Sequence, residues 1–150
     1  MNNGVILLVE DSEDDADLTL RAFRRSNIVN EVVVVRDGAE ALDYLHGTGS
    51  YAGRPPPLPA LMILDLNLPK ISGLDVLRRT RASQRTRFLP TVILTTSVED
   101  EDVVSGYALG ANAYVQKPVA FDNFIAAAAS LGLFWLLVNV QPLQQVKPAA

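Results

Sequence analysis

Residues 61–69 read Leu-Met-Ile-Leu-Asp-Leu-Asn-Leu-Pro, an unbroken aliphatic run that stops on an acid, Asp65. A strand with one face in water alternates apolar and polar residues. This run does not alternate, so both of its faces must be covered, as in a parallel sheet held between two layers of helix. Four further runs have the same character: Val5 to Val9, Val32 to Val35, Thr91 to Leu94 and Ala113 to Val115. The segments between them carry helical spacing. Asp14 to Arg25 sets Ala16, Leu20 and Phe23 on one stripe, behind Ser12 and a group of acids suited to a helix start. Gly38 to Leu45 carries Ala41, Leu42 and Leu45, Gly73 to Arg79 carries Val76 and Leu77, and Asp100 to Leu109 carries Val103, Val104, Tyr107 and Ala108. A last helix over Phe121 to Val138 aligns Phe124, Ala128, Leu131 and Trp135. Strand and helix thus alternate five times. With right-handed crossovers, that order predicts an open α/β sheet, doubly wound, with ligands at the carboxyl ends of its strands.

Composition bounds the function. The chain has 150 residues, 49% of them apolar and 20% charged, which suits one folded domain and excludes disordered or low-complexity classes. A net charge of −4 has the wrong sign for a protein devoted to phosphate backbones, so nucleic acid is not the expected partner. Cysteine is absent, which removes disulfides, thiolate metal sites and cysteine nucleophiles and suits a reducing, cytoplasmic location. The apolar run before Glu10 is too short for a signal peptide. The connection from Gly47 to Pro59, with Gly49, Gly53 and Pro55 to Pro57, reads as a stiff irregular connector; its glycines follow a helix and not a strand, so they do not form a dinucleotide cradle. Arg78, Arg79, Arg81, Arg85 and Arg87 have no interleaved aromatics and read as a solvated basic face.

The residues that directly follow the apolar runs are the chemically informative ones: Glu10 and Asp11, Asp65, Thr95 and Lys117. Parallel strands deliver their carboxyl ends to one rim, so these side chains should meet although they span the chain. Carboxylates gathered in one crevice repel each other unless a cation joins them, and a set of oxygen donors without His or Cys suits Mg²⁺. Lys117 adds a fixed positive charge and Thr95 a hydroxyl. A carboxylate acting as nucleophile on a phosphoryl group needs just such charge neutralisation and positioning. Asp65, on the central run, is the candidate nucleophile. Asp11 would ligate the metal directly, Glu10 directly or through water, and Asn67 through its backbone carbonyl. The competing plain reading makes the acids helix caps and turn residues, which explains one or two of them but not the group.

Four blocks carry a resemblance. Val9-Glu10-Asp11-Ser12, Leu64-Asp65-Leu66-Asn67-Leu68-Pro69 with Gly73 behind it, Leu94-Thr95-Thr96-Ser97, and Tyr114-Val115-Gln116-Lys117-Pro118 resemble the signature blocks of response-regulator receiver domains, in the family's order. The resemblance spans residues 4–138 as a receiver domain, leaves 139–150 as a tail without an output domain, and implies a flavodoxin-like fold with strand order 2-1-3-4-5. It implies that Asp65 accepts a phosphoryl group from a sensor histidine kinase, and that Glu10, Asp11, Asp65 and the Asn67 carbonyl hold Mg²⁺. It further implies that Lys117 pairs with a phosphoryl oxygen, Thr95 and Tyr114 form the switch pair, and the Lys117–Pro118 peptide is cis. Such a protein catalyses only its own phosphotransfer and autodephosphorylation. Thr96 stands where many receivers have Ala, which bears on access to the phosphoryl group.

Finer features resemble the single-domain regulators of bacterial phytochrome-type kinases: Asp14-Asp15 after the first block, Ala41-Leu42-Asp43-Tyr44-Leu45, the long connection before the third strand, and Phe134-Trp135. No charged residue occurs between Asn123 and Val146. A membrane span is not expected there, because Ser130 and Gly132 interrupt the stretch and the resemblance uses it as the last helix. Its apolar surplus predicts a homodimer through helix 5 with helix 4 and strand 5. A phosphohydrolase with an aspartyl-phosphate intermediate is the rival reading; such enzymes resemble this pattern but want a second acid where Asn67 stands.

Overall fold

The computed structural model describes residues 4–25, 28–96, 99–117 and 126. The helix expected over 121–138, except for residue 126, the Lys117–Pro118 peptide and the tail from 139 lie outside the described residues. Within them the elements alternate as β1 (Ile6–Val9), α1 (Glu13–Arg25), β2 (Val32–Val35), α2 (Gly38–His46), β3 (Leu61–Leu64), α3 (Gly73–Ala82), β4 (Thr91–Thr95), α4 (Asp100–Ala108) and β5 (Ala113–Gln116). All strand pairs are parallel and the order is β2-β1-β3-β4-β5.

Two separate cores explain the unbroken apolar runs. Leu7, Val9, Met62, Leu64 and Ile93 face α2 and α3, packing on Leu42, Leu45, Val76 and Leu77. Their chain neighbours Ile6, Leu8, Leu61, Ile63, Val92 and Leu94 face the other way, against Ala16, Ala22 and Phe23 of α1. Successive side chains of a strand point to opposite faces, so a run buried on both sides has no polar position. Burial of a side chain such as Phe23 contributes about 2 kcal/mol.

Local chemistry sets the helix ends. Asp37 caps α2 by accepting the Glu40 N–H at 2.7 Å, and Ser72 caps α3 by accepting the Asp75 N–H. Gly73 opens α3 against the backbone that follows β3: a Cβ there would lie 2.2 Å from the Asp65 carbonyl oxygen. Only glycine lets α3 start so close to Asp65.

Several expectations are corrected. In α1 the buried row is Ala16, Thr19, Ala22 and Phe23, while Leu20 is only half-buried. In α4 the buried residue is Gly106; Val104 and Tyr107 are 67% and 51% exposed, so the expected apolar stripe points largely to solvent. The 47–59 connection is not wholly irregular: Gly49–Tyr51 form a 3-10 turn, secured where Thr48 donates to Asp43 and Tyr51 packs edge-on against Tyr44. The arginine run is not one solvated face. Arg78 and Arg79 pair with Asp75, Arg87 covers the Phe88 ring and exposed Arg85 donates to the Leu45 carbonyl, but half-buried Arg81 turns inward to the carbonyls of Gly110 and Leu89. Among the described residues no helix is long and apolar enough to cross a membrane; residues 124–138, except 126, lie outside them.

Candidate metal centre at the strand ends

Register brings the site together. Val9 of β1 lies beside both Val35 and Leu64, and Thr95 of β4 lies beside Gln116 of β5, so the first residues beyond β1, β3 and β5 share a rim with the end of β4. Backbone bonds continue the ladder past the strands: Glu10 N–H to Val35 O, Asp65 N–H to Val9 O, and Lys117 N–H to Thr95 O at 2.7 Å. Glu10, Asp65, Thr95 and Lys117 are all buried, while Asp11 opens to solvent. Carboxylate oxygens of Glu10, Asp11 and Asp65 lie within 4.8 Å of one another.

Each buried group is held by identifiable donors. Asp65 Oδ1 accepts from the Thr95 hydroxyl at 2.9 Å and from the Asn67 N–H at 3.2 Å, and Oδ2 accepts from Lys117 Nζ at 2.8 Å. Glu10 Oε2 accepts from the Ser12 N–H, and Oε1 from Lys117 Nζ at 2.5 Å. Asp15, an acid that the sequence reading left among the helix-start residues, also reaches Lys117 Nζ, at 2.8 Å. The signal for it was faint: Glu13 and Asp14 beside it are acids too, and nothing in the spacing singles Asp15 out.

Charge shapes the titration of these groups. Burial pushes Glu10 up to about 7, against the pull of the Lys117 ammonium. Burial acts on Asp65 in the same direction, but Lys117, Thr95 and the Asn67 N–H outweigh it and hold Asp65 below the usual carboxylate range. Lys117 resists the opposite effect of burial and stands above an ordinary lysine, because Asp15, Asp65 and Glu10 all accept from it. Three carboxylates thus accept from one ammonium, and Asp11 adds a fourth acid beside Glu10 and Asp65. The donor set is oxygen only, it carries surplus negative charge, and exposed Asp11 leaves an approach from solvent. Those properties fit a hard divalent cation held by Glu10, Asp11 and Asp65.

Tyr114, the other expected switch residue, is half-buried on β5, with its ring 6.5 Å from that of Tyr107 on α4. Thr96 is exposed beside the rim. Glu10, Asp11, Asp65, Asn67, Thr95 and Lys117 are therefore at one end of the sheet, Tyr114 lies within β5 opposite Ile93, and Pro118 lies outside the described residues.

A doubly wound sheet in this order, with an acidic rim answered by a buried lysine at the end of β5, defines a flavodoxin-like receiver fold. The chain belongs to the response regulator receiver domain family, whose model matches residues 6–129. It is 37% identical over 132 residues to the response regulator Rcp1 of Synechocystis, covering 88% of each chain. The Mn²⁺-bound structure of Rcp1 is similar at a TM-score of 0.86 and 36% identity, covering 93% of this chain and 99% of that one. The phosphorylated cyanobacterial phytochrome response regulator RcpA gives a TM-score of 0.87 at 36% identity, with the same coverage. The bacteriophytochrome response regulator RtBRR is 53% identical, with a TM-score of 0.74 and coverage of 93% and 84%.

Proposed function

We propose that this chain is a two-component response regulator that takes a phosphoryl group onto Asp65 from a phosphohistidine of a sensor histidine kinase, in a Mg²⁺-dependent step. The observation that carries the reading is Asp65 itself: a buried carboxylate kept ionised by Lys117, Thr95 and the Asn67 N–H at a rim with surplus negative charge. An Asp65 oxygen attacks phosphorus, the new O–P bond forms, the P–N bond to the imidazole breaks, and the ring nitrogen keeps the electron pair. Mg²⁺ held by Glu10, Asp11, Asp65 and the Asn67 carbonyl would offset the charge on the phosphoryl oxygens.

The other roles belong to the chain's own groups. Lys117 passes one of its hydrogen bonds to a phosphoryl oxygen. The Thr95 hydroxyl, now on Asp65 Oδ1, moves to another. Tyr114 lies next to Tyr107, so its rotation into space vacated near Thr95 would reshape the α4–β5 surface. The chain acts on no other substrate and catalyses only its own phosphorylation and dephosphorylation, in the cytoplasm. The Rcp1, RcpA and RtBRR likenesses support a phytochrome-like kinase as partner. Exposed Val104 and Tyr107 support a homodimer through α4, β5 and the last helix, which gel filtration showing a monomer with and without phosphorylation would overturn.

Incubation with acetyl phosphate and Mg²⁺, followed by intact-mass measurement, tests the central claim. Wild type should gain one phosphoryl group and Asp65→Asn none. A wild-type chain that gains nothing, or an Asp65→Asn chain that gains as much, overturns it. Omission of Mg²⁺ should suppress the gain.

A further inference from the structure

A lysine ammonium has three protons to donate, and Lys117 gives all three to carboxylates: Glu10 at 2.5 Å, Asp15 at 2.8 Å and Asp65 at 2.8 Å. If the function proposed above is right, two of these partners change during the reaction. Asp65 loses a charged oxygen to the new acyl-phosphate bond, and Glu10 is drawn to the cation. Asp15 does neither. It stands outside the Glu10, Asp11 and Asp65 group whose oxygens converge on one point.

Asp15 is also the member of its helix turn that is built to do something else. The first turn of α1 carries Glu13, Asp14 and Asp15; Glu13 and Asp14 are exposed, and Asp15 alone turns in to Lys117. Its main chain is fixed on both sides, because its N–H donates to Ser12 Oγ at 3.2 Å and its carbonyl accepts from the Thr19 hydroxyl at 2.9 Å. The same Ser12 donates its N–H to Glu10, so one cap residue sets the distance between two of the lysine's three acceptors. The contact ties the end of β5 to the start of α1 across 102 positions of chain.

We infer that Asp15 is a positioning residue for Lys117, the one acceptor that stays in place while the other two change, so that the ammonium meets the phosphoryl oxygen without first being reoriented. This inference rests on the proposed phosphotransfer. A lysine with all its acceptors in flux would have to be ordered at the moment of reaction, and misplacement of a positioned group is costly in rate.

The test uses the full chain with acetyl phosphate over a range of Mg²⁺ concentrations, following the phosphorylated fraction by intact mass. Asp15→Ala should slow phosphorylation at saturating Mg²⁺ about tenfold, with the Mg²⁺ half-saturation point moved by less than about twofold. Asp15→Asn keeps an acceptor oxygen and should recover most of the rate. Glu13→Gln removes a neighbouring charge from the same helix turn without touching Lys117, and should behave as wild type. An Asp15→Ala chain as fast as wild type overturns the inference. So does a loss matched by Glu13→Gln, which would make the effect one of helix-end charge, or a shift confined to Mg²⁺ half-saturation, which would make Asp15 an aid to cation binding. If wild type itself gains no phosphoryl group, the functional reading fails and the inference falls with it; a phosphorylated wild type beside an unaffected Asp15→Ala removes the inference alone.

Discussion

A buried cation and a half-buried one sit at opposite ends of the same strands and are treated in opposite ways. At the carboxyl ends Lys117 is ringed by carboxylates. At the amino ends Arg81, near the end of α3, meets only neutral acceptors: Nε and Nη2 donate to Gly110 O at 2.9 and 2.8 Å, Nη1 to Leu89 O at 2.8 Å, and Nη2 to Asn112 Oδ1 at 3.2 Å. The Asn112 oxygen also accepts the Thr91 N–H, so a single side chain joins α3, the entry to β4 and the turn between α4 and β5. A guanidinium among carbonyls is satisfied and chemically idle, and it stores geometry. An ammonium among too many carboxylates leaves charge unanswered, and that surplus is what draws a cation and a phosphoryl group.

Substitutions can break each pole of this contrast. The largest effect is expected from Lys117→Met, which strips a crowded acid cluster of its one positive group. Without divalent cation it should lose about 3 kcal/mol in urea unfolding, and Mg²⁺ should restore part of that loss. Unchanged stability would show that the acids do not depend on the lysine. Arg81→Met should lose about 2 kcal/mol by leaving the Gly110 carbonyl without its guanidinium donors and Leu89 O with the Thr91 hydroxyl alone, while phosphorylation by acetyl phosphate keeps its wild-type rate. A slowed rate at equal foldedness would mean that the two ends are coupled and the contrast is false. Gly110→Ala sharpens the structural pole, since φ is 98° and a Cβ would lie 2.9 Å from Arg81 Nε; a loss of about 1–2 kcal/mol is expected, again without a change in rate.

The smallest effect tests an acid used as Arg81 is used, for geometry alone. Asp37 accepts the Glu40 N–H, and Asp37→Ala should cost about 1 kcal/mol by thermal unfolding. That N–H is the main reason the Asp37 carboxyl titrates below its ordinary 3.8. Because the folded value is the lower one, the capping contribution is complete above the unfolded value and is lost as pH falls through the folded one. The difference between wild type and Asp37→Ala should therefore shrink on acidification and be constant near neutrality.

The strands could be read with little error because burial on both faces leaves a signature inside the strand itself: Leu61–Leu64 has no polar position, and the same holds for Ile6–Val9. The start of α1 was nearly as plain, since a cap such as Ser12 acts on an N–H three residues away. Much of the site followed at once, because in a parallel sheet the residue after a buried strand must emerge at one rim. Glu10, Asp65, Thr95 and Lys117 were legible for that reason alone.

What the sequence by itself determined is the class of fold, the edge at which chemistry gathers and the kind of side chain found there, since these depend on spacing within one element and on the handedness of crossovers. Only the tertiary structure decided which acids Lys117 meets, that Arg81 turns inward out of a basic run, and that Val104 and Tyr107 of α4 point to solvent. A contact such as Asp15 to Lys117 joins elements from the two ends of the fold, and its geometry is set by how α1 lies against the sheet. No local periodicity encodes that distance; it exists only once the layers are packed.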